Sequence, residues 1–220
     1  MKNNSITTLS VKRIVITLLI LVMIPFGARF INIYLQQYDI SLMFTMNVGG
    51  SIMIMYNWNL FSLHYNRAKH DMIDTIFYTI VAFLLIAIWT WFSLSFLNCR
   101  IILPSSDVLE RYGYALPGML VAYSFMEASV FSISAKCATD HFNIHQRELQ
   151  TILATGILFG ALITLLFLPS TNIMIIITTL LYNVVLMTLE AYSYNQTHSF
   201  IPGLLGFAFT NLLFMMTGIL

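Results

Sequence analysis

Long apolar stretches with few charged residues follow one another from residue 14 to residue 220. A helix needs about 20 mostly apolar residues to cross the hydrocarbon core of a bilayer, because each residue adds about 1.5 Å of length. Backbone amide and carbonyl groups find no hydrogen-bond partner in lipid, so a spanning stretch of this kind must be helical. The pattern therefore predicts an all-α bundle that crosses a membrane several times.

The composition excludes an ordinary soluble domain. Hydrophobic residues make up 59% of the 220 residues, and Asp, Glu, Lys and Arg together make up only 9%. Soluble domains carry about 25% charged residues, which cover their surfaces. The net charge of +1 gives no reason to expect a nucleic acid partner, and the two cysteines predict no disulfide framework. We expect one integral membrane domain over residues 1–220, with the lipid bilayer as its first partner.

Seven stretches reach the length of a membrane span, so we expect a polytopic transmembrane bundle of about seven helices. They are residues 14–35, 40–61, 74–97, 114–135, 150–168, 172–192 and 199–220. The first three form an N-terminal part, residues 1–112, and the last four form a C-terminal part, residues 113–220. Only a few residues link the fifth and sixth stretches, so these two must be antiparallel neighbours.

Basic residues orient the predicted bundle, because the cytoplasmic segments of membrane proteins carry an excess of lysine and arginine. If the N-terminus is cytoplasmic, seven basic residues fall on the cytoplasmic side, namely Lys2, Lys12, Arg13, Arg67, Lys69, Lys136 and Arg147. Three fall on the outer side, namely Arg29, Arg100 and Arg111. The difference predicts a multi-pass protein of the cell membrane with its N-terminus in the cytoplasm.

Glu127 is the deepest carboxyl group in the predicted spans. An ionisable side chain inside a membrane helix costs about 2.5–3.5 kcal/mol on insertion scales, so it is a candidate functional group by default. It could act as a general base, a proton carrier or an ion ligand, or it could be a protonated carboxyl that bonds to a neighbouring helix. Two further residues are candidates for the same cavity: Tyr123, four residues away on the same helix face, and the mid-span amide Asn183.

Glu190 falls near the end of the sixth stretch, where a carboxylate can reach the headgroups cheaply. We therefore expect it to have a structural role at the membrane interface. The sequence contains no nucleotide-binding loop, no HExxH helix and no CxxC pair, and it predicts neither a cofactor nor a metal site.

Three short segments lie on successive predicted helices of the C-terminal part. They read "MEASVFSIS" at 126–134, "ILFGALI" at 157–163 and "THSFIPGLLGFAFTNLL" at 197–213. In this order and placement they resemble the motifs E-E-x-x-x-R, F-x-x-x-H and H-x-x-x-N of the CPBP intramembrane proteases, also called the CAAX protease-like or Abi family. The resemblance covers residues 113–220 and implies a CPBP-like four-helix core there.

The first motif is only partly kept. Glu127 matches the first glutamate of the family, whereas Ala128 stands in place of the second glutamate and Ser132 in place of the arginine.

The other two motifs each keep one residue. Phe159 matches the phenylalanine of the second motif, and Ile163 replaces its histidine. Phe207 replaces the histidine of the third motif, and Asn211 matches its asparagine.

The replaced residues are those that the family's chemistry requires. In the family, the glutamates and histidines are taken to activate a water molecule and to hold the oxyanion. A general base needs partners within hydrogen-bond reach, and a lone carboxyl without an oxyanion donor is a poor hydrolase. The resemblance therefore implies a pseudoenzyme, without catalytic residues, that acts as a binding, scaffold or bacteriocin-immunity protein in a membrane complex. Its partner would be a membrane protein or a peptide.

Two alternatives stay open. The first is an active intramembrane endopeptidase of the glutamic type with a rearranged site, for which His141 and His145 are the histidines nearest the fourth stretch. The second is a small transporter or transporter subunit in which Glu127 binds a proton or a cation, as intramembrane carboxylates often do. No inverted repeat is evident in the sequence, which disfavours the transporter.

Overall fold

The chain is helical wherever its structure is described. The computed structural model describes residues 10–97, 99–104, 108, 117–142, 148–168 and 172–217, and these ranges contain no strand. Their eight α-helices are α1 (Val11–Leu35), α2 (Tyr38–Tyr56), α3 (Trp58–His70), α4 (Met72–Phe92), α5 (Pro117–Phe142), α6 (Glu148–Phe167), α7 (Ile173–Thr197) and α8 (Ile201–Thr217). A π-helical turn, Ser93–Leu97, extends α4.

Five of these helices are long and apolar enough to cross a membrane: α1, α4 with its π-helical turn, α5, α6 and α7. The helix α8 is apolar but has only 17 residues. The structure thus confirms the all-helical, multi-pass membrane class. The count of seven spans and the CPBP-like core stay predictions.

The second predicted span is divided in the structure. It was expected over residues 40–61, but α2 ends at Tyr56 and Asn57 leads the chain into the separate helix α3. The Asn57 side-chain amide donates to the Thr17 hydroxyl at 3.1 Å and to the Met53 carbonyl at 3.0 Å. The break is therefore held by buried polar contacts to α1 and to the end of α2.

The bundle has two ends. At the first, called here the N-terminal end, α1, α4, α6 and α8 begin and α2, α5 and α7 finish. This end also contains α3, which contacts the α7–α8 junction: Arg67 donates to the His198 carbonyl at 3.2 Å, and Ser199 donates to the His64 carbonyl at 3.0 Å. At the opposite end, Arg29 near the end of α1 donates to the Leu166 carbonyl of α6 at 3.3 Å.

The helices α6 and α7 pack as the predicted antiparallel pair. A Cβ atom built on Gly160 would lie 2.5 Å from the backbone nitrogen of Val184, and one built on Gly156 would lie 1.9 Å from the Thr188 hydroxyl. From Gly160 back to Gly156 on α6, the neighbouring residue on α7 moves forward from Val184 to Thr188, so the two helices are antiparallel. The two backbones approach this closely because glycine has no side chain.

The helix α5 is the most enclosed of the five candidate spans. In the most apolar 18-residue stretch of α5, 61% of the residues are buried, against 28% in the corresponding stretch of α1 and 22% in that of α4. It packs against α8, α2, α6, α7 and α1. The polar side chains of α5 from Tyr123 to Thr139 are buried against these helices, and this determines where the candidate site lies.

The described basic residues divide between the two ends as predicted. Lys12, Arg13, Arg67, Lys69 and Lys136 belong to the N-terminal end, and Arg29 and Arg100 belong to the opposite end. Lys2, Arg111 and Arg147 lie outside the described residues. Which side of the membrane each end faces stays a prediction.

Candidate functional site

Glu127 points into the bundle from the middle of α5. Its side chain is only 2% exposed, and the Asn211 amide donates to its Oε2 atom at 2.9 Å. Asn211 belongs to α8, so this bond joins the enclosed helix to the last helix. The two polar residues that match the family motifs are therefore in direct contact.

Tyr123 lies one turn before Glu127 on α5. Its hydroxyl donates to the backbone carbonyl of Ile102, and it also faces the Glu127 carboxyl. Ile102 belongs to the non-helical segment 99–104, which follows the π-helical turn. This segment closes the Glu127 site toward the opposite end of the bundle.

A dry pocket surrounds the Glu127 carboxyl, and its enclosed space is too small for a water molecule. The other residues that line it are Ile101, Ile102, Leu103, Phe131, Tyr182, Asn183, Leu186, Phe207 and Asn211. The rings of Phe131 and Phe207 stack at 5.8 Å between centroids, with 14° between their planes. Among the described residues, no histidine lines this pocket.

Of the remaining predicted positions, Asn183 lines this pocket, whereas Ala128, Phe159 and Ile163 lie outside it. Ala128 and Phe159 are buried in the hydrophobic core. Ile163 lines a different space of about 200 Å³ at the opposite end of the bundle. Its walls are mostly apolar, but because charged and polar side chains also line it, it is called here the polar cavity. Asn183 belongs to both spaces, and its amide donates to the Thr164 hydroxyl at 2.9 Å.

The polar cavity at the opposite end is the larger of the two spaces. Tyr38 and Asp39 of α2, Arg100 and Thr179 are among its lining residues. The Arg100 backbone amide donates to the Thr179 hydroxyl at 3.0 Å. Residues 101–103 line both this cavity and the Glu127 pocket, so they form the wall between them.

Glu190 is buried between helices, although the sequence predicted a carboxylate that reaches the headgroups. It is 2% exposed, and the Ser132 hydroxyl donates to its Oε2 atom at 2.8 Å. The helix α7 continues to Thr197, beyond the predicted end at residue 192, so Glu190 lies within the bundle. Gly203 of α8 makes room for the carboxyl, because a Cβ atom there would lie 2.5 Å from Oε2.

Lys136 is also buried, although it was predicted to lie in a cytoplasmic segment. Its ammonium group lies 2.6 Å from Asp140 Oδ2 and 2.9 Å from the Tyr194 hydroxyl, and Tyr194 donates to Asp140 Oδ1 at 2.9 Å. Lys136 lies at the predicted end of the bundle, but inside a helix, because α5 runs on to Phe142, past the expected end at residue 135. The four-residue spacing of Lys136 and Asp140 was a signal for this helical ion pair.

His64 is fully buried in α3, outside the candidate membrane spans, and its ring packs 4.7 Å from that of Phe200. Burial lowers the pKa of His64 from 6.5 to about 3, and the positive charges of Lys136 and Arg67 act in the same direction. The His198 backbone carbonyl has a smaller, opposite effect. The imidazole is therefore neutral near pH 7.

The histidines of the rearranged-protease alternative are not close to Glu127. His141 follows Glu127 on the same helix, about 21 Å away along the axis at 1.5 Å per residue. His145 lies outside the described residues.

Comparison of the chain with protein-family models, with curated proteins and with solved structures finds no match. The relation to the CPBP proteases therefore depends on the three short segments alone. What the site does must be argued from its own residues.

Proposed function

We propose that the protein is a non-catalytic, CPBP-like membrane protein that binds a membrane-protein or peptide partner, as a scaffold or immunity-type component of a membrane complex. The observation that carries this proposal is the closed, dry pocket around Glu127 and Asn211. Hydrolysis needs a water molecule next to a base, and this pocket has no room for one.

The replaced motif residues support a lack of catalysis for a second reason. Phe207, at the position where the family has a histidine, stacks on Phe131 and lines the pocket with an apolar ring. Hydrocarbon offers no hydrogen bond to a developing oxyanion, and this interaction is usually the largest contribution to such catalysis.

Glu127 would then serve to join helices. The Tyr123 hydroxyl contacts both the Ile102 carbonyl and the Glu127 carboxyl, so it holds Glu127 against the segment 99–104. A neutral Glu127 would link α5 to α8 through Asn211 without placing a charge in the bundle.

The polar cavity supports a partner that approaches from the opposite end of the bundle. With a cytoplasmic N-terminus, this end faces outward, where an immunity protein would meet a secreted peptide. Asp39 and Arg100 give the cavity both signs of charge, which suits a peptide with mixed charges.

The test is affinity purification from native membranes in a mild detergent. We expect a partner in equimolar amount with wild type, the same recovery with Glu127→Gln, and loss with Arg100→Ala, which removes a cavity charge. Lys69→Ala, which alters an exposed basic residue at the other end, is the matched control. The chain recovered alone, or cleavage of a membrane peptide that depends on Glu127, would contradict the proposal.

A second candidate function is transport with Glu127 as a proton or cation site. It is favoured by one observation: residues 101–103 and Asn183 line both the Glu127 pocket and the polar cavity, so the two spaces are neighbours. This function requires pH-dependent uptake into vesicles that Glu127→Gln abolishes. Uptake that persists in Glu127→Gln rejects it.

A further inference from the structure

Polar contacts between α5 and α7 repeat at a constant sequence separation. Ser132 contacts Glu190, and Lys136 contacts Tyr194, with 58 residues between the partners in each pair. Residues four apart lie one above the other on a helix. The equal separation therefore means that α5 and α7 run parallel and in register, with a ladder of polar contacts that leads from the N-terminal end to Glu190.

The helix α8 faces this ladder with three residues that are four apart. Gly203 lies against the Glu190 carboxyl, Phe207 stacks on Phe131, and Asn211 bonds to Glu127. The space enclosed by α5, α7 and α8 is therefore layered. One carboxyl layer contains Glu190, the next layer is a pair of aromatic rings, and the last contains Glu127.

Glu190 has one oxygen that the fold leaves unpaired. Its Oε1 atom is buried and has no hydrogen-bond partner among the described residues, although Ser132 satisfies Oε2. Buried polar atoms without a partner are rare, and an unseen water molecule is a common reason for one. The orphaned oxygen indicates that this layer takes up water or a proton.

The ionisable surroundings of Glu190 lie toward the N-terminal end. The helices that pack against α7 are α4, α5, α6 and α8. Of these, α8 has no ionisable residue. Lys136 and Asp140 of α5 contact Tyr194, one turn beyond Glu190 on α7, and the ring of His64 of α3 packs against the same tyrosine. Asp74 of α4 and Glu148 of α6 are exposed at the N-terminal end and do not face Glu190. Glu190 therefore has a polar route toward the N-terminal end and an aromatic barrier on its other side.

We propose that α5, α7 and α8 enclose a proton path that is interrupted by the Phe131–Phe207 ring pair. On one side of the rings, Glu190 exchanges protons with the N-terminal end, through water and the Tyr194–Asp140 pair. On the other side lie the Glu127 pocket, which has no room for water, and the polar cavity beyond it. Removal of the Phe207 ring would let water pass from Glu190 into these spaces. In the exchange a Glu190 carboxylate oxygen takes a proton from water and later returns it, so no other reactant is required. This goes beyond the proposed binding function and does not depend on it.

The test removes one ring of the Phe131–Phe207 pair. The purified protein is placed in liposomes that contain a pH-sensitive dye, and proton entry is followed under an imposed potassium diffusion potential. We expect Phe207→Ala to raise proton flux several-fold above wild type. Phe209→Ala is the matched control, because Phe209 lies on the same helix but is 43% exposed, away from the layers. It should stay at the wild-type rate.

Removal of the proton-binding group should close the opened path. We expect Phe207→Ala combined with Glu190→Gln to return to the wild-type flux, because glutamine cannot exchange a proton there. Equal flux in Phe207→Ala and Phe209→Ala would overturn the proposal. So would a raised flux that Glu190→Gln leaves unchanged, because the path would then not use the carboxyl.

Infrared spectroscopy keeps the proposal testable if Phe207→Ala does not fold. Wild type is compared with Glu190→Gln, which isolates the C=O stretching band of the protonated Glu190 carboxyl. We expect that band to shift when the protein is moved into D₂O. A band that does not shift, or no such band at any pH at which the protein is folded, would overturn the proposal.

Discussion

At the scale of single residues, the structure gives both buried glutamates a hydrogen-bond donor on a neighbouring helix. Glu127 has Asn211, and Glu190 has Ser132. The sequence predicted the importance of Glu127 because a carboxyl inside an apolar stretch is unusual. It did not predict the role of Glu190, because burial there depends on Gly203 of another helix.

Replacement of Glu127 tests whether this carboxyl is structural. We expect Glu127→Gln to keep nearly wild-type stability, since its amide oxygen can still accept from Asn211. Glu127→Leu should lower stability by about 1–3 kcal/mol, because the buried Asn211 amide loses its acceptor. Thermal unfolding in detergent, followed by near-UV circular dichroism, measures both. Equal loss in the two variants would show that the hydrogen bond is not what stabilises the site.

The buried His64 of α3 predicts a dependence of stability on pH. Because the pKa of His64 is lowered from 6.5 to about 3 by folding, the unfolded chain binds the proton more tightly than the folded chain. The stabilising effect is complete above pH 6.5 and is lost as the pH falls from 6.5 toward 3. Melting temperatures measured across this range should therefore fall less steeply in His64→Phe than in wild type.

An exposed histidine in the same helix provides the control for that measurement. The side chain of His70 is 86% exposed, so His70→Phe should keep the wild-type slope. If His64→Phe and wild type have parallel profiles, the buried imidazole does not determine the pH dependence.

At the scale of secondary structure, the apolar pattern predicted where helices occur better than where they end. The prediction ended α5 before Lys136 and placed Glu190 at the end of α7, because charged residues usually leave the membrane. In the structure both helices continue, since the Ser132–Glu190 and Lys136–Tyr194 contacts satisfy these groups across the α5–α7 contact. Such compensation depends on a neighbouring helix and is not visible in one segment.

The contact between α7 and α8 predicts the effect of a single methyl group. Gly203→Ala would place a Cβ atom 2.5 Å from Glu190 Oε2, so we expect a loss of about 1–3 kcal/mol from overpacking. Combination with Glu190→Ala should recover part of this loss, because the shorter side chain vacates the space. The melting temperatures of the single and double variants measure the coupling.

Gly118→Ala is the matched control, because nothing lies within 4 Å of a Cβ atom built on Gly118 of α5. It should leave the melting temperature unchanged. If the effects of Gly203→Ala and Glu190→Ala simply add, the two residues do not press on each other.

At the scale of the whole molecule, part of the candidate site could be predicted from the motif segments. Glu127, Phe207 and Asn211 come together because their segments lie on the packed helices α5 and α8. Ile163 does not join them and lines the polar cavity instead. The segment 99–104, which covers the site, could not be predicted because it is neither helical nor part of any motif.

The distribution of basic residues predicts the orientation of the molecule. In a background where the buried Cys99 and Cys137 are replaced by serine, we expect a membrane-impermeant maleimide to label Gln36→Cys from outside the cell. The same reagent should label Lys69→Cys only after the cytoplasmic face is exposed in inverted vesicles. Both positions are exposed in the structure, at opposite ends of the bundle. The reverse labelling pattern would place the N-terminus outside.

The bond from Asn211 to Glu127 has a consequence for biogenesis. During translation α5 emerges before α8, so until α8 is made the Glu127 carboxyl lies in the insertion machinery or the lipid without the Asn211 amide. The Glu190 carboxyl likewise lacks its contact with Gly203 until α8 is made. A chain interrupted before α8 would lack both contacts, because α8 supplies the Asn211 amide and the Gly203 backbone that lies against Glu190.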